Sequence, residues 1–431
     1  MTKNNNYHKE TPADTTSEAI FTSRLERQRG NSRYNERSDI YLPFREATRR
    51  QPIEQIKPKI LFISRAYPPI IGGIEDQNYN LGKSLKKLTP TKIIANKKGK
   101  KNLPFFLLRL FVQLPFILPK YDVVLFGDGV LAPVGEFFKV FYRRQKYVSV
   151  IHALDLTYAY QKSFFSKLYR FFNIPALRNL DKLIMVGNYA IEEAVKLRID
   201  KKKCVFIPNG VNIGKIYEPH SREELEKLLS KQSSQPIEYF GDKKIILRVG
   251  RFVPHKGLHW FIDKVMPLLS DKYILIGAGG YNPKAVGDNE NYTLCKKYIK
   301  KHNLEKRVIL FPNIPQKEMN ILFNTADLYI TPNIFIKGSA EGFGLNAIEA
   351  VICERIVLSS DLQGLKDAIT DGQNGFMLKP ENAEAWKKKI EEVLSDNFDK
   401  KSFIINAKKY TLDNFTWDKI GKKYLEVLKN V

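Results

Sequence analysis

Residues 245–257 read Ile-Ile-Leu-Arg-Val-Gly-Arg-Phe-Val-Pro-His-Lys-Gly. The apolar run Ile245 to Val249 has the composition of a buried strand, and it stops at Gly250. Arg251 and Lys256 then fall on the loop at the strand's carboxyl end, where open α/β sheets bind ligands. An Arg fork and a mobile Lys five residues on can grip a diphosphate from two sides, although basic loop residues are often simply solvated.

Some ninety residues downstream, residues 340–350 read Ala-Glu-Gly-Phe-Gly-Leu-Asn-Ala-Ile-Glu-Ala. Leu345, Ile348, Val351 and Ile352 fit the buried stripe of a helix starting near Gly344. Glu341 falls in the loop before that helix and Glu349 on its second turn. Amide groups at a helix N-terminus suit an anionic or hydroxyl-rich ligand, and the glycines allow close approach. A capped helix with a solvent-facing Glu reads the same segment alone. Paired with the basic loop in one α/β unit, it points to a nucleotide-diphosphate site.

The pattern extends outward in both directions. Ile60–Ile63 opens a first strand at about Lys59–Ser64, followed by Val123–Phe126, Tyr147–Ile151, Leu183–Val186 and Cys204–Ile207. A second series falls near 245–249, 273–276, 307–311, 328–331 and 355–359. Strands alternating with helices imply parallel sheets with right-handed crossovers, here two doubly wound units facing a cleft. Within the first unit, Gly73 follows the first strand, where its main chain can approach a phosphate or an acceptor; a plain turn fits it equally. Glu75 just beyond fits either a helix-start acid or an acceptor-site group. His152 closes the run Tyr147–Ile151 at a strand's carboxyl edge, a position that also suits a packed or capping His. Asp155 either orients that loop or touches the acceptor.

Seven motifs in order resemble the retaining, metal-independent nucleotide-sugar glycosyltransferases of GT-B fold, family 4-like, "glycosyl transferases group 1". They are Tyr-Pro-Pro-Ile-Ile-Gly-Gly-Ile-Glu (67–75), His-Ala-Leu-Asp (152–155), Ile-Pro-Asn-Gly-Val-Asn (207–212) and Val-Gly-Arg-Phe-Val-Pro-His-Lys-Gly (249–257). Glu-Gly-Phe-Gly-Leu (341–345), Asp-Gly-Gln-Asn-Gly-Phe (371–376) and Phe-Thr-Trp (415–417) complete the series. The resemblance implies an acceptor-binding Rossmann-like domain over 57–218, a linker at 219–243, a nucleotide-sugar domain over 244–414 and a helix from 415–431 crossing back to the first domain. It implies His152 at the donor sugar's reacting centre, Arg251 and Lys256 on the diphosphate, and amides around Phe343, Gly344 and Leu345 beside them. Glu341 would hold sugar hydroxyls and Glu349 the ribose of a UDP- or GDP-type donor. No cofactor and no metal are expected: the chain has no Asp-x-Asp triplet. Three places depart from the family pattern: Cys353-Glu354-Arg355, the loop Asp361-Leu362-Gln363-Gly364-Leu365-Lys366-Asp367, and Val186-Gly187 in place of Val-Ser. They keep open a nucleotide-sugar-binding pseudoenzyme, and a phosphorylase of the same fold stands third.

Composition agrees with two packed domains: 431 residues, 43% hydrophobic and 12% aromatic. Residues 1–56 are polar and nearly aperiodic, read as a disordered extension with no signal-peptide core. Cys204, Cys295 and Cys353 lack metal spacing and suit a reducing, cytoplasmic setting. No run of eighteen apolar residues argues for a membrane span. The net charge of +25 is lopsided, since residues 57–220 carry 28 Lys and Arg against 11 Asp and Glu. Lys97, Lys98, Lys100 and Lys101 precede an apolar stretch at 104–119, which fits either a buried helix or one lying in an anionic membrane interface. The expected partners are a nucleotide sugar, a glycan or lipid-linked acceptor of bacterial cell-envelope synthesis such as lipopolysaccharide, and peripheral contact through 97–119 with the inner membrane's cytoplasmic face. No nucleic-acid motif accompanies the charge.

Overall fold

The computed structural model describes residues 57–431 apart from residues 71 and 217. The expected extension at 1–56 lies outside the described residues. One sheet holds β1 (Ile60–Ser64), β2 (Thr91–Ala95), β3 (Val123–Phe126), β4 (Lys146–Ile151), β5 (Lys182–Met185) and β6 (Cys204–Phe206), in spatial order β2-β1-β3-β4-β5-β6. The other holds β7 (Lys244–Val249), β8 (Tyr273–Gly279), β9 (Val308–Pro312), β10 (Leu328–Thr331), β11 (Ile356–Ser360) and β12 (Phe376–Leu378), in order β12-β11-β10-β7-β8-β9. Every ladder between neighbouring strands is parallel. Parallel pairing needs crossovers, and helices supply them on both faces of each sheet. This is the doubly wound GT-B architecture.

Strands covered on both faces read as continuous apolar runs, which is why ten of the twelve are visible in the sequence. β2 and β12 are sheet edges: β2 is only half-buried and carries an exposed Lys92, and β12 spans three residues. Neither makes an apolar run long enough to stand out.

The first sheet is layered by α1 (Gly73–Leu88) on one face, and on the other by α2 (Leu103–Ile117), α3 (Ala132–Phe141), α5 (Phe164–Asn179) and α6 (Asn188–Lys196), with the short α4 (Ala153–Thr157) after β4. The final helix, Trp417–Lys429, crosses back and lies on α1, where Ile420, Tyr424 and Leu428 join Leu81 and Leu85. Ser84 Oγ donates to the Trp417 carbonyl (2.9 Å), and the Val211 amide to that of Phe415 (2.7 Å).

Residues 219–243, expected to be a linker, contain a packed helix. Ser221 Oγ accepts from the Glu224 amide (3.2 Å) while the Glu224 carboxylate accepts from the Ser221 amide (2.8 Å), a reciprocal cap that starts Arg222–Ser233. Leu225, Leu228 and Leu229 of that helix enter the second lobe's core. In each sheet the winding reverses direction once, between β1 and β3 and between β7 and β10. Doubly wound sheets open a crevice at that point.

Candidate functional site

In the second lobe, Arg248 sits inside β7 and is only 1% exposed. A buried guanidinium is tolerated only when its donors are taken. Here they go to the carbonyls of Gly250 (2.7 Å) and Arg251 (3.1 Å), clamping the loop that leaves the strand. Gly250 makes that exit at φ +146, a conformation reserved for glycine. Arg251 comes next, exposed, with no hydrogen bond or ion pair among the described residues. It is an uncommitted cation on a braced loop.

Lys256 ends the turn Pro254–Lys256, and Nζ pairs with Glu341 Oε2. Asn333 Nδ2, held by Thr331 Oγ1 at 2.9 Å from its amide oxygen, donates to the same Oε2 (3.2 Å). Burial works against the Glu341 charge, but Lys256 outweighs it and takes the carboxyl down to about 2. Oε1 carries no hydrogen bond among the described residues. The residues expected to divide between diphosphate and sugar therefore grip each other. Beside them, His255 Nδ1 lies 2.6 Å from Ser339 Oγ, and burial followed by the Lys256 charge takes the ring's pKa down to about 4.

Gly344, at φ +81, opens the helix Leu345–Ile352, and no side chain caps its first amides. Asn346 donates to the Val249 carbonyl (3.1 Å), tying that first turn to the end of β7. Phe343 is buried against Phe415. Glu349 is half-buried one turn along, its charge felt by Tyr329 and Cys353.

In the first lobe, His152 follows β4 at the start of α4 and is 8% exposed. Its ring bonds to the Gly127 backbone, while Nε2 is buried with no partner. Burial lowers its pKa to about 4, so at neutral pH it is an uncharged ring with an unused acceptor. Glu75, in the first turn of α1, lies near enough for its charge to act on that ring. Gly73 starts α1, and a Cβ there would meet nothing within 4 Å, so the main chain is open to approach. Asp155 Oδ2 accepts from the amides of His152 (2.9 Å) and Gly129 (3.1 Å), which places it inside the loop as its fastener. Asp128 is fully buried and accepts from Arg65 Nε (2.9 Å); burial raises its pKa to about 6 against the pull of Arg65.

The lobes meet beside the Glu341 turn. Asp367 accepts from the Asn188 amide (2.8 Å) and side chain (2.6 Å), and Gly187 lies against the Gly342 carbonyl so closely that a Cβ would collide with it. Gln363 Oε1 accepts from the Glu341 amide (2.9 Å). Two departures from the family pattern, Gly187 and Asp367, are thus one fitted contact. The third, Cys353 to Arg355, follows the far end of the helix from Gly344, where Lys408 pairs with Glu354 (2.6 Å).

Gln363 was singled out only as part of a loop departing from the family pattern, and Arg65, Asp128, Arg248 and Asn333 were not singled out by the sequence. Only Arg248 left a signal there, as a charge inside an apolar run.

Comparison with known proteins gives a consistent result. A model described as "Glycosyltransferase Family 4" matches residues 71–215, and one described as "Glycosyl transferases group 1" matches residues 230–410. An uncharacterized glycosyltransferase of Methanocaldococcus jannaschii is 26% identical over 253 residues, 58% of this chain and 60% of that one. The N,N'-diacetylbacillosaminyl-diphospho-undecaprenol alpha-1,3-N-acetylgalactosaminyltransferase of Campylobacter jejuni is 24% identical over 54% of this chain and 56% of its own. Among solved structures, Anabaena HepE in complex with UDP superposes with a TM-score of 0.66 at 18% identity, covering 86% of this chain and 100% of that one.

Proposed function

The chain belongs to the GT-B glycosyltransferases, matched by the family 4 and group 1 models in its two lobes, and from that premise we propose that it is a retaining, metal-independent enzyme that moves a sugar from a nucleoside-diphosphate sugar to a glycan or lipid-linked acceptor of the cell envelope, on the cytoplasmic side. The observation that carries this reading is the cation pair at the end of β7: Arg251 exposed on a clamped loop, and Lys256 beside an uncapped helix N-terminus.

As the glycosidic bond breaks, positive character builds on the sugar and negative charge on the departing diphosphate. Arg251 and the first amides of Leu345–Ile352 stabilise that charge, a preorganised effect commonly worth about 3 kcal/mol per key donor. Lys256 carries three N–H donors and spends one on Glu341, leaving the others for a phosphate oxygen. Glu341 keeps Oε1 for a sugar hydroxyl, and Glu349 takes the ribose. The neutral His152 offers Nε2 to the hydroxyl of a sugar seated below it. Gly73, with Glu75 beside it, borders the acceptor. Among the described residues no group of three His, Cys, Asp or Glu is placed to hold a metal, and the two cations take on the charge that a metal would otherwise balance. A related protein's name mentions a diphospho-undecaprenol acceptor, and a structural neighbour binds UDP; both support these donor and acceptor classes.

The test is turnover of UDP- and GDP-sugars in EDTA, with the product's anomeric proton followed by NMR. Nucleotide release with retained configuration supports the proposal. Binding of nucleotide without release from any donor supports a pseudoenzyme, and loss of turnover restored by magnesium contradicts metal independence.

A further inference from the structure

Helices α2, α3 and α5 lie side by side over one face of the first sheet, and each is apolar on two sides. Inward, Phe106, Leu110 and Leu114 of α2, Phe138 of α3, and Ile174 and Leu177 of α5 enter the core. Outward, Phe105 and Phe116 of α2, Phe141 of α3, and Phe164, Phe165 and Phe171 of α5 stand 66–77% exposed. On α5 the pattern is strict: Phe164, Phe165, Leu168, Phe171 and Phe172 fall on one helical stripe, all exposed. A helix that only covers a sheet turns a polar face to water.

The bare faces of α2 and α3 join, and α3 is tied to the end of α5. Phe111 of α2 packs on Phe137 and Phe138 of α3 (centroids 5.1 and 5.4 Å), and Lys139 of α3 reaches the Asn179 carbonyl at the end of α5 (2.8 Å). Six Phe rings of this exposure together leave about 600 Å² of aromatic surface to solvent on one side of the lobe.

Charge selects the occupant. Residues 97–172 carry 13 Lys and Arg against four Asp and Glu, and two of those acids, Asp128 and Asp155, are buried. Lys97, Lys98, Lys100 and Lys101 stand exposed before α2, and Arg143 and Arg144 after α3. Beside α5 a cavity of about 970 Å³ is lined in part by Lys167, Arg170, Phe171, Arg178 and Arg198, an anion-attracting recess next to the bare phenylalanines. A second copy docked here by two-fold symmetry would set this positive surplus against itself.

We propose that the outer faces of α2, α3 and α5 seat the first lobe on an anionic lipid surface, with the phenylalanines in the acyl boundary and the surrounding Lys and Arg among the phosphates. The stretch Lys100–Lys120 is long and apolar enough to cross a bilayer, its most apolar 18 residues having a mean hydropathy of 1.5 with 22% of them buried. α2 itself is 15 residues, about 22 Å against a hydrocarbon core of about 30 Å, and its inner face is committed to the sheet. It lies in the interface and does not span it. The sequence pointed to 97–119 alone; the structure adds α3 and α5, and with them a surface instead of a segment. Lipid seating of this surface does not depend on the sugar-transfer chemistry.

The experiment is co-sedimentation of the full chain with vesicles of phosphatidylcholine alone and of an equal mixture with phosphatidylglycerol. The mixed vesicles bind at low salt, the neutral ones poorly, and binding falls sharply by about 0.5 M salt. Phe164→Ser, Phe165→Ser and Phe171→Ser together weaken binding at least tenfold, with melting temperature and nucleotide affinity unchanged. Replacing the four lysines 97–101 by Gln does the same, at about fivefold per charge at most. Absence of binding to the mixed vesicles overturns the proposal, as do variants that bind like wild type. A wild-type dimer that the Phe variants convert to monomer, without vesicle binding, also overturns it and makes the patch a subunit interface.

Discussion

The two lobes each gather charged side chains at the point where their sheet reverses direction, yet they use them in opposite ways. In the first lobe Asp128 is tied to Arg65 through one oxygen and Asp155 to two backbone amides, and His152, a neutral imidazole, keeps a buried Nε2 without a partner among the described residues. In the second lobe Arg248 is consumed in bracing the loop, and the cation it presents, Arg251, is left exposed. On the proposed reading one side meets an uncharged sugar and the other a charged leaving group. What separates them is less the number of charges than how many are already spent.

The largest effect that tests this division is on turnover. Arg251→Ala and Lys256→Ala are each expected to lower kcat/KM by about 10²–10³, because leaving-group charge loses a preorganised partner. Near-wild-type kinetics in both would erase the distinction between the lobes. Stability should then split the pair. Arg251 has no partner to orphan among the described residues, so its loss leaves the melting curve in place. Lys256→Ala strands the Glu341 carboxylate in a largely buried site and should cost about 3 kcal/mol, much of it recovered in the double variant with Glu341→Gln. Urea unfolding of the four proteins decides it.

Arg248→Met probes the spent charge. It leaves the Gly250 and Arg251 carbonyls without their donor and should cost about 2 kcal/mol, with kcat falling because the Arg251 loop loosens. If kcat holds while stability drops, Arg248 braces the core and not the site.

His255 gives a pH-dependent contrast. Its folded pKa, about 4, lies below the ordinary value near 6.5, so the unfolded chain binds the extra proton first as pH falls. Its contribution to stability is therefore lost between roughly pH 6.5 and 4, by up to about 3 kcal/mol. His255→Asn should be less destabilised than wild type on going from pH 7 to 4.5, with identical slopes arguing that the ring is not held neutral. Smallest is the contact between the lobes: Asp367→Ala should cost about 1 kcal/mol and raise KM a few-fold, since Asn188 remains partly hydrated.

The sequence made legible what is local. Ten strands announce themselves because burial on both faces requires unbroken apolar runs, Arg251 and His152 stand out because they follow those runs closely, Lys256 because it shares Arg251's loop, and Glu341 because it precedes a glycine-rich helix start. Edge strands β2 and β12 need no such run. Arg65 with Asp128, and Asn333 and Gln363 with Glu341, are pairings 63, 8 and 22 residues apart that no periodic pattern encodes. The helix Arg222–Ser233 is different: the Ser221-x-x-Glu224 cap was written in the chain, and the polar composition around it hid the signal.

The most direct measurement is calorimetric titration of UDP and GDP in EDTA into wild type, Arg251→Ala and His152→Ala. Wild type should bind one of the two nucleotides, Arg251→Ala should bind it about ten- to a hundredfold more weakly, and His152→Ala, which the proposal sets against the sugar and not the phosphates, should bind it as wild type does. Equal affinity in all three proteins, or a loss confined to His152→Ala, would contradict the assignment of the charged leaving group to the second lobe.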